Sequence, residues 1–108
     1  MIRVIIERQL KPGTHAVMEK LLIERRTEAM KYKGYISGET LQSLNDLNHV
    51  LIISSWHDEE NWREWHNSLE RHAKDEKIRE LLVEPEEISM YEFVHTMEST
   101  PPHFSLMA

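Results

Sequence analysis

Trp56, Trp62 and Trp65 are the only tryptophans of the chain, and they fall within ten residues. His57, Asn61 and His66 lie beside them. Large flat apolar faces with a few polar groups among them can form one wall of a pocket for a planar, ring-containing ligand. The segment SSWHDEENWREWHNSL, residues 54–69, runs from an apolar strand into a helix opening on Asp58, Glu59 and Glu60. Each residue also has a plainer role. Trp62 and Trp65, at i and i+3, are the usual anchors of a capped helix on a sheet. Trp56 closes its strand and packs there, while Asn61 stands at N3, where it can satisfy the helix end. Capping and the helix dipole account for the acidic run.

His66 and His72 are the candidates for a general base, because imidazole titrates near neutral pH and can take a phenolic or enolic proton. Simple solvent exposure is the competing reading. Arg25, on the side of the first helix between Leu22 and Ala29, could reach an anionic group of a substrate or merely snorkel. The seven histidines make no metal site, since none are spaced i, i+4 and no His-Glu-x-x-His run exists.

The elements that position these residues belong to one domain, since 108 residues cannot hold a second core. A net charge of −6 and no basic run argue against a nucleic-acid or anionic-membrane binder. Without cysteine, disulfides, thiolate metal sites and thiol nucleophiles are excluded. The chain begins on an apolar strand with no signal-peptide pattern or long apolar span, which predicts a cytoplasmic protein.

Alternation predicts a strand over 2–8, with Ile2, Val4 and Ile6 on one face. Lys11-Pro12-Gly13 breaks it, and Thr14 is the expected N-cap of a helix over 15–33. Val17, Met18, Leu21, Leu22, Ala29 and Tyr32 form its apolar stripe, and Gly34 its C′ residue. A more polar strand over 35–44 turns at Asn45–Asn48 into the strongest strand, 49–56, HVLIISSW. Asp58 caps a helix carrying Trp62, Trp65 and Leu69. A break near 72–75 separates it from a shorter helix with Ile78, Leu81 and Leu82. Pro85 precedes a last strand over 87–95. The order β-α-β-β-α-β predicts an α+β, ferredoxin-like antiparallel sheet of order 4-1-3-2 with both helices on one face. Residues 1–95 form this domain, and 96–108 are a C-terminal tail.

A sheet covered on one face only should be polar on the other. Here Leu51 and Ile53 oppose Val50 and Ile52, and Tyr91 and Phe93 oppose Ile88, Met90 and Val94. Leaving such side chains in water forfeits roughly 1.5–3 kcal/mol each. A second copy packed sheet on sheet removes that surface, which predicts a homodimer. The alternative cover is the tail, through Phe104, Leu106 and Met107, which could instead clasp the partner.

In this order of elements the chain resembles the antibiotic biosynthesis monooxygenase family of the dimeric α/β-barrel superfamily. The resemblance is carried by the opening strand with Lys11-Pro12-Gly13, then Gly34-Tyr35, and the strand ending Ile53-Ser54-Ser55-Trp56. The helix Trp62-Arg63-Glu64-Trp65 and the segment Leu81-Leu82-Val83-Glu84-Pro85 complete it. It covers about residues 1–95 and implies a homodimeric barrel with a pocket between sheet and helices in each protomer. Some members oxidise aromatic polyketides with O₂ and neither metal nor flavin, whereas others degrade haem or act on small metabolites. Members that oxidise phenolic rings have an Asn and a Trp one helical turn apart near the start of the second helix, the spacing of Asn61 and Trp65.

The resemblance therefore implies a cofactor-independent monooxygenase for a small aromatic or quinol-like compound, with O₂ as co-substrate. On this reading Asn61, Trp65, His66 and His72 are catalytic candidates, and Trp62, Trp56 and Arg25 contact the substrate. A non-catalytic small-molecule-binding protein of the same fold is the alternative. The haem-degrading branch fits less well. It has an Asn on the first strand, where Ile6-Glu7-Arg8 offers none. Its axial His would come about three turns after the helix Trp, where Asp75 stands; His72 would serve only in a shifted or broken helix.

Overall fold

Alternation along β1 (Ile2–Gln9) sends Val4, Ile6 and Arg8 to one side of the sheet, where all three are buried. The computed structural model describes residues 1–97. The expected cover of the sheet by Phe104, Leu106 and Met107 lies outside the described residues. β1 is central, antiparallel to β3 (His49–Trp56) on one side and to β4 (Glu87–Glu92) on the other. Its register sets Val4 between Ser54 and Met90, and Ile6 between Ile52 and Ile88. β2 (Tyr35–Gln42) pairs with the far side of β3, with an irregularity between Tyr35 and Ser37. The observed order β2-β3-β1-β4 is the expected order read from the other edge. The α+β, ferredoxin-like β-α-β-β-α-β arrangement is thus present, as an open four-stranded sheet.

α1 (His15–Ala29) starts where expected but ends four residues early. Beyond it, tight turns bond Lys31 N to Glu28 O (3.1 Å) and Tyr32 N to Ala29 O (3.0 Å). They deliver Tyr32 to Trp65, with ring centroids 5.1 Å apart. Thr14 does not cap the helix; its hydroxyl donates to Lys11 O at 2.7 Å and braces the turn instead. Val17, expected in the buried stripe, is exposed.

The second helical region divides at Asn67–Ser68 rather than near 72–75, giving α2 (Glu59–His66) and α3 (Leu69–Glu80). Asp58 accepts from Asn61 N at 2.8 Å, and Ser68 accepts from Arg71 N at 3.2 Å, so each helix has its own side-chain cap. Leu69 becomes the first residue of α3 and is 88% exposed rather than core. Because α3 continues through 72–75, Arg71, Asp75 and Ile78 share one buried face at helical spacing.

Two apolar clusters pack between sheet and helices. One joins Val4, Ile6 and Ala29 to the three tryptophans, and the other joins Leu10, Met18, Val50, Ile78 and Leu82. Arg8 stands between them along β1, and Arg25 does so along α1. Among the described residues no helix is long and apolar enough to cross a membrane.

Candidate functional site

The tryptophan segment folds into a wall, as its spacing suggests. Trp56 ends β3 on the helix-facing side, opposite Tyr35 of β2 and Ile2 of β1. Its indole N–H donates to Ser54 Oγ at 3.1 Å, and the Tyr35 ring meets it edge-on at 5.3 Å. The cap on Asp58 fixes the start of α2, and one turn on Trp62 and Trp65 face the sheet, both 5% exposed.

These rings line a half-open cavity of about 70 Å³. Ile6, Arg8, Ile52 and Ser54 form its sheet side; Leu22, Arg25 and Ala29 of α1 and Arg71 of α3 close it from above. A second, open groove of about 440 Å³ shares Leu22, Arg26 and Thr40 with it and extends past Met18 and Ile23 to His15. Where the two spaces join, Arg26 Nη2 donates to Thr40 Oγ1 at 3.0 Å, a strut from α1 to β2. At the β2 side the Tyr35 hydroxyl lies over Gly38, where a Cβ would stand 2.7 Å from it. Burial raises the Tyr35 pKa, with Arg26 opposing, so the phenol is a neutral hydrogen-bond donor.

Four arginines and no carboxylate line the cavity. The acids stand behind them. Arg8 Nε donates to Glu86 Oε2 at 2.5 Å. Asp75 accepts from Arg25 and, at 3.3 and 3.4 Å, from Arg71 and Arg79. Burial alone would raise the Asp75 pKa, but Arg71 and Arg25 outweigh it and hold the carboxyl below its ordinary value. Burial, and then the like charge of Arg25, lowers the Arg71 pKa to about 10, still charged at neutral pH.

Of the residues expected at the site, Trp56, Trp62, Trp65 and Arg25 meet on the cavity wall. Asn61 does not; it is buried and packs on Gly34. His66 stacks on Trp62 from outside, with centroids 4.5 Å apart, and does not line the cavity. Burial, followed by Arg71, pushes its pKa down to about 4, so the ring is neutral near pH 7 and a weak base. His72 is exposed on α3, away from the cavity. Sequence reasoning passed over Arg8, Tyr35, Arg71, Asp75 and Glu86. Arg8 simply continues the Ile2-Val4-Ile6 alternation. Arg71 and Asp75 would have emerged from their spacing to Ile78 had Ser68 been read as a cap. Among the described residues no group of three or more His, Asp or Glu side chains is placed to hold a metal ion.

The fold recurs in solved structures. A conserved protein from Methanosarcina mazei Go1 is 24% identical, with a TM-score of 0.78 over 83% of this chain and 89% of that one. The cofactor-independent oxygenase SnoaB from Streptomyces nogalater is 15% identical, with a TM-score of 0.78 over 91% and 98%. Rv0793 from Mycobacterium tuberculosis, also 15% identical, gives 0.78 over 90% and 98%. No protein of curated function matches the sequence. The sequence profile described as antibiotic biosynthesis monooxygenase matches residues 1–77, about seven-tenths of the chain. The chain therefore belongs to the antibiotic biosynthesis monooxygenase family.

Proposed function

We propose that the tryptophan-walled cavity is the substrate site of a cofactor-independent monooxygenase that oxidises a small aromatic or quinol-like compound with O₂. The observation that carries this reading is the aromatic wall itself: three indoles and a tyrosine ring around a half-open space between sheet and helices. Such walls bind one face of a flat ring, and the adjoining groove of about 440 Å³ gives it the room that the inner space alone does not. An ionised phenol or hydroquinone then supplies the electrons. One atom of O₂ enters a ring carbon as a quinone carbonyl, and the other leaves as water with the displaced hydrogens. Trp65 and Trp62 hold the ring, and the Tyr35 hydroxyl donates to the oxygen that enters the ring as charge shifts there. Asn61 acts as a positioning residue, bracing the first turn of α2 so that the indoles face the cavity. His66, neutral and behind Trp62, supports that ring rather than taking a proton.

The proposed active form is a homodimer. Ile5, Leu51, Ile53, Leu41 and Tyr91 occupy the helix-free side of the sheet by register, and Leu41 and Tyr91 are 45% and 58% exposed. A second sheet laid on that face covers them and closes a barrel.

The test is oxygen uptake by flavin-free and metal-free protein offered a panel of hydroquinones and phenols. Substrate-dependent uptake above autoxidation is expected. Quenching of tryptophan fluorescence with no uptake would instead make the protein a binding protein, and a Soret band on titration with haem would point to haem chemistry.

A further inference from the structure

Arg8, Arg25 and Arg71 come from β1, α1 and α3 and line the same cavity, Arg8 from the sheet and the other two from the helices above it. They are 2%, 7% and 3% exposed. Two carboxylates face these three buried charges, Glu86 and Asp75, and both lie outside the cavity lining. Arg79, which also reaches Asp75, is 68% exposed and answered by solvent. Arg71 Nη2 stands 3.8 Å from Glu86, beyond hydrogen-bond reach.

The three buried guanidiniums therefore outnumber their carboxylates by one, and half-buried Arg26, bonded to the neutral Thr40 hydroxyl, adds a further positive charge to the lining. The lining is also left with donors. Arg8 Nη2, Arg25 Nε and Nη1, and Arg71 Nη2 are buried and have no hydrogen-bond acceptor among the described residues. Buried charge is stable when paired and hydrogen-bonded, and guanidinium forks match planar oxyanions. The tryptophans beside them supply the flat apolar surface that a ring needs.

We infer that the cavity binds an aromatic oxyanion, a carboxylate or phenolate on a flat ring, with its oxygens on Arg25, Arg71 and Arg8 and its ring against Trp56, Trp62 and Trp65. This inference rests on the proposed function only in taking the cavity as the substrate site; it requires no turnover. It also specifies the chemistry of selection. A wall of guanidiniums repels amines, and it favours the ionised form of a phenol over the neutral one.

The test is anaerobic calorimetry with matched pairs: benzoate against benzamide, and 4-nitrophenolate against 4-nitroanisole. At least one anion is expected to bind about tenfold or more tighter than its neutral partner. Which pair shows the preference identifies carboxylate or phenolate. Nitrate, a planar oxyanion without a ring, should compete with the anion and not with the neutral compound. Arg25→Gln should cut the preference to below about threefold while neutral binding changes less than about twofold. Should that variant fail to fold, the ratio in the unaltered protein decides. Equal binding of anion and neutral compound, binding of neither, or a preference that survives in folded Arg25→Gln would overturn the inference. Because no oxygen is present, a missing preference with hydroquinone turnover intact sinks this inference alone. A clear preference without turnover sinks the monooxygenase reading alone.

Discussion

Gly34 and Asn61 are locked against each other: a Cβ on Gly34 would overlap Cβ, Cγ and Oδ1 of the Asn61 side chain. The glycine has φ +87°, and its carbonyl accepts from His57 N at 2.7 Å. The entry to β2, the end of β3 and the start of α2 thus meet at one residue without a side chain. That junction sets the angle at which α2 presents Trp62 and Trp65.

Gly34→Ala should therefore destabilise the protein by about 2–3 kcal/mol, combining left-handed backbone strain with displacement of a buried side chain. Gly13 is the control, since it has φ +80° but nothing within 4 Å of its missing Cβ. Gly13→Ala should cost only the backbone part, about 1 kcal/mol. Urea unfolding of the two variants measures the difference, and equal losses would show that Asn61 yields freely.

Asp75 holds two buried guanidiniums, with side chains of Arg25 and Arg71 only 8% and 4% exposed. Asp75→Ala leaves both without their main counter-charge and should cost about 3–5 kcal/mol in denaturant unfolding. Combined with Arg25→Met, the loss should be smaller than the sum of the single losses, because the second change removes the stranded charge. Strict additivity would mean that the pair is not coupled.

His66 makes an acid-side prediction. Its folded pKa, about 4, lies below its ordinary 6.5, so the unfolded chain binds the proton more readily. Its contribution to stability is complete above pH 6.5 and is lost as pH falls from there towards 4. Arg71 and Arg25 oppose protonation and Asp75 and Glu86 favour it, after burial as the largest cause. His66→Gln should flatten the stability profile over that window, read by urea unfolding at successive pH values. An NMR titration placing His66 near 6.5 in the folded protein would contradict the burial argument.

The helix-free face gives a direct test of assembly. Ile53 stands at its centre, paired with Ile5 across β1 and Glu39 across β2. Ile53→Glu puts a charge into the proposed sheet-to-sheet contact and should convert dimers to monomers in sedimentation velocity at micromolar concentration. Single chains in the unaltered protein would remove the barrel from the account.

The strand order was legible because alternation in β1 and β3 is strong and the turn at Asn45–Asn48 carries its own chemistry. The indole wall was legible too, since Trp62 and Trp65 fall one turn apart after a capping aspartate. Lengths were less so. The stop of α1 at Ala29 depends on Tyr32 reaching Trp65, a tertiary contact with no local signal. The arginine cluster stayed hidden for another reason. Arg25 alone stands out from the sequence; Arg8 and Arg71 lie far from it, and charged residues are usually solvated, so only the packed structure joins the three as buried partners of Asp75 and Glu86.

Oxidation in this protein takes place, on the proposed reading, against the tryptophan wall. That placement is tested most directly by single-turnover reaction with ¹⁸O₂, comparing the unaltered protein with Trp65→Phe on the best hydroquinone of the panel. One labelled atom is expected in the quinone product and one in water, with the rate falling at least about tenfold in a variant that stays folded. Unlabelled product, or an undiminished rate without the indole of Trp65, would contradict it.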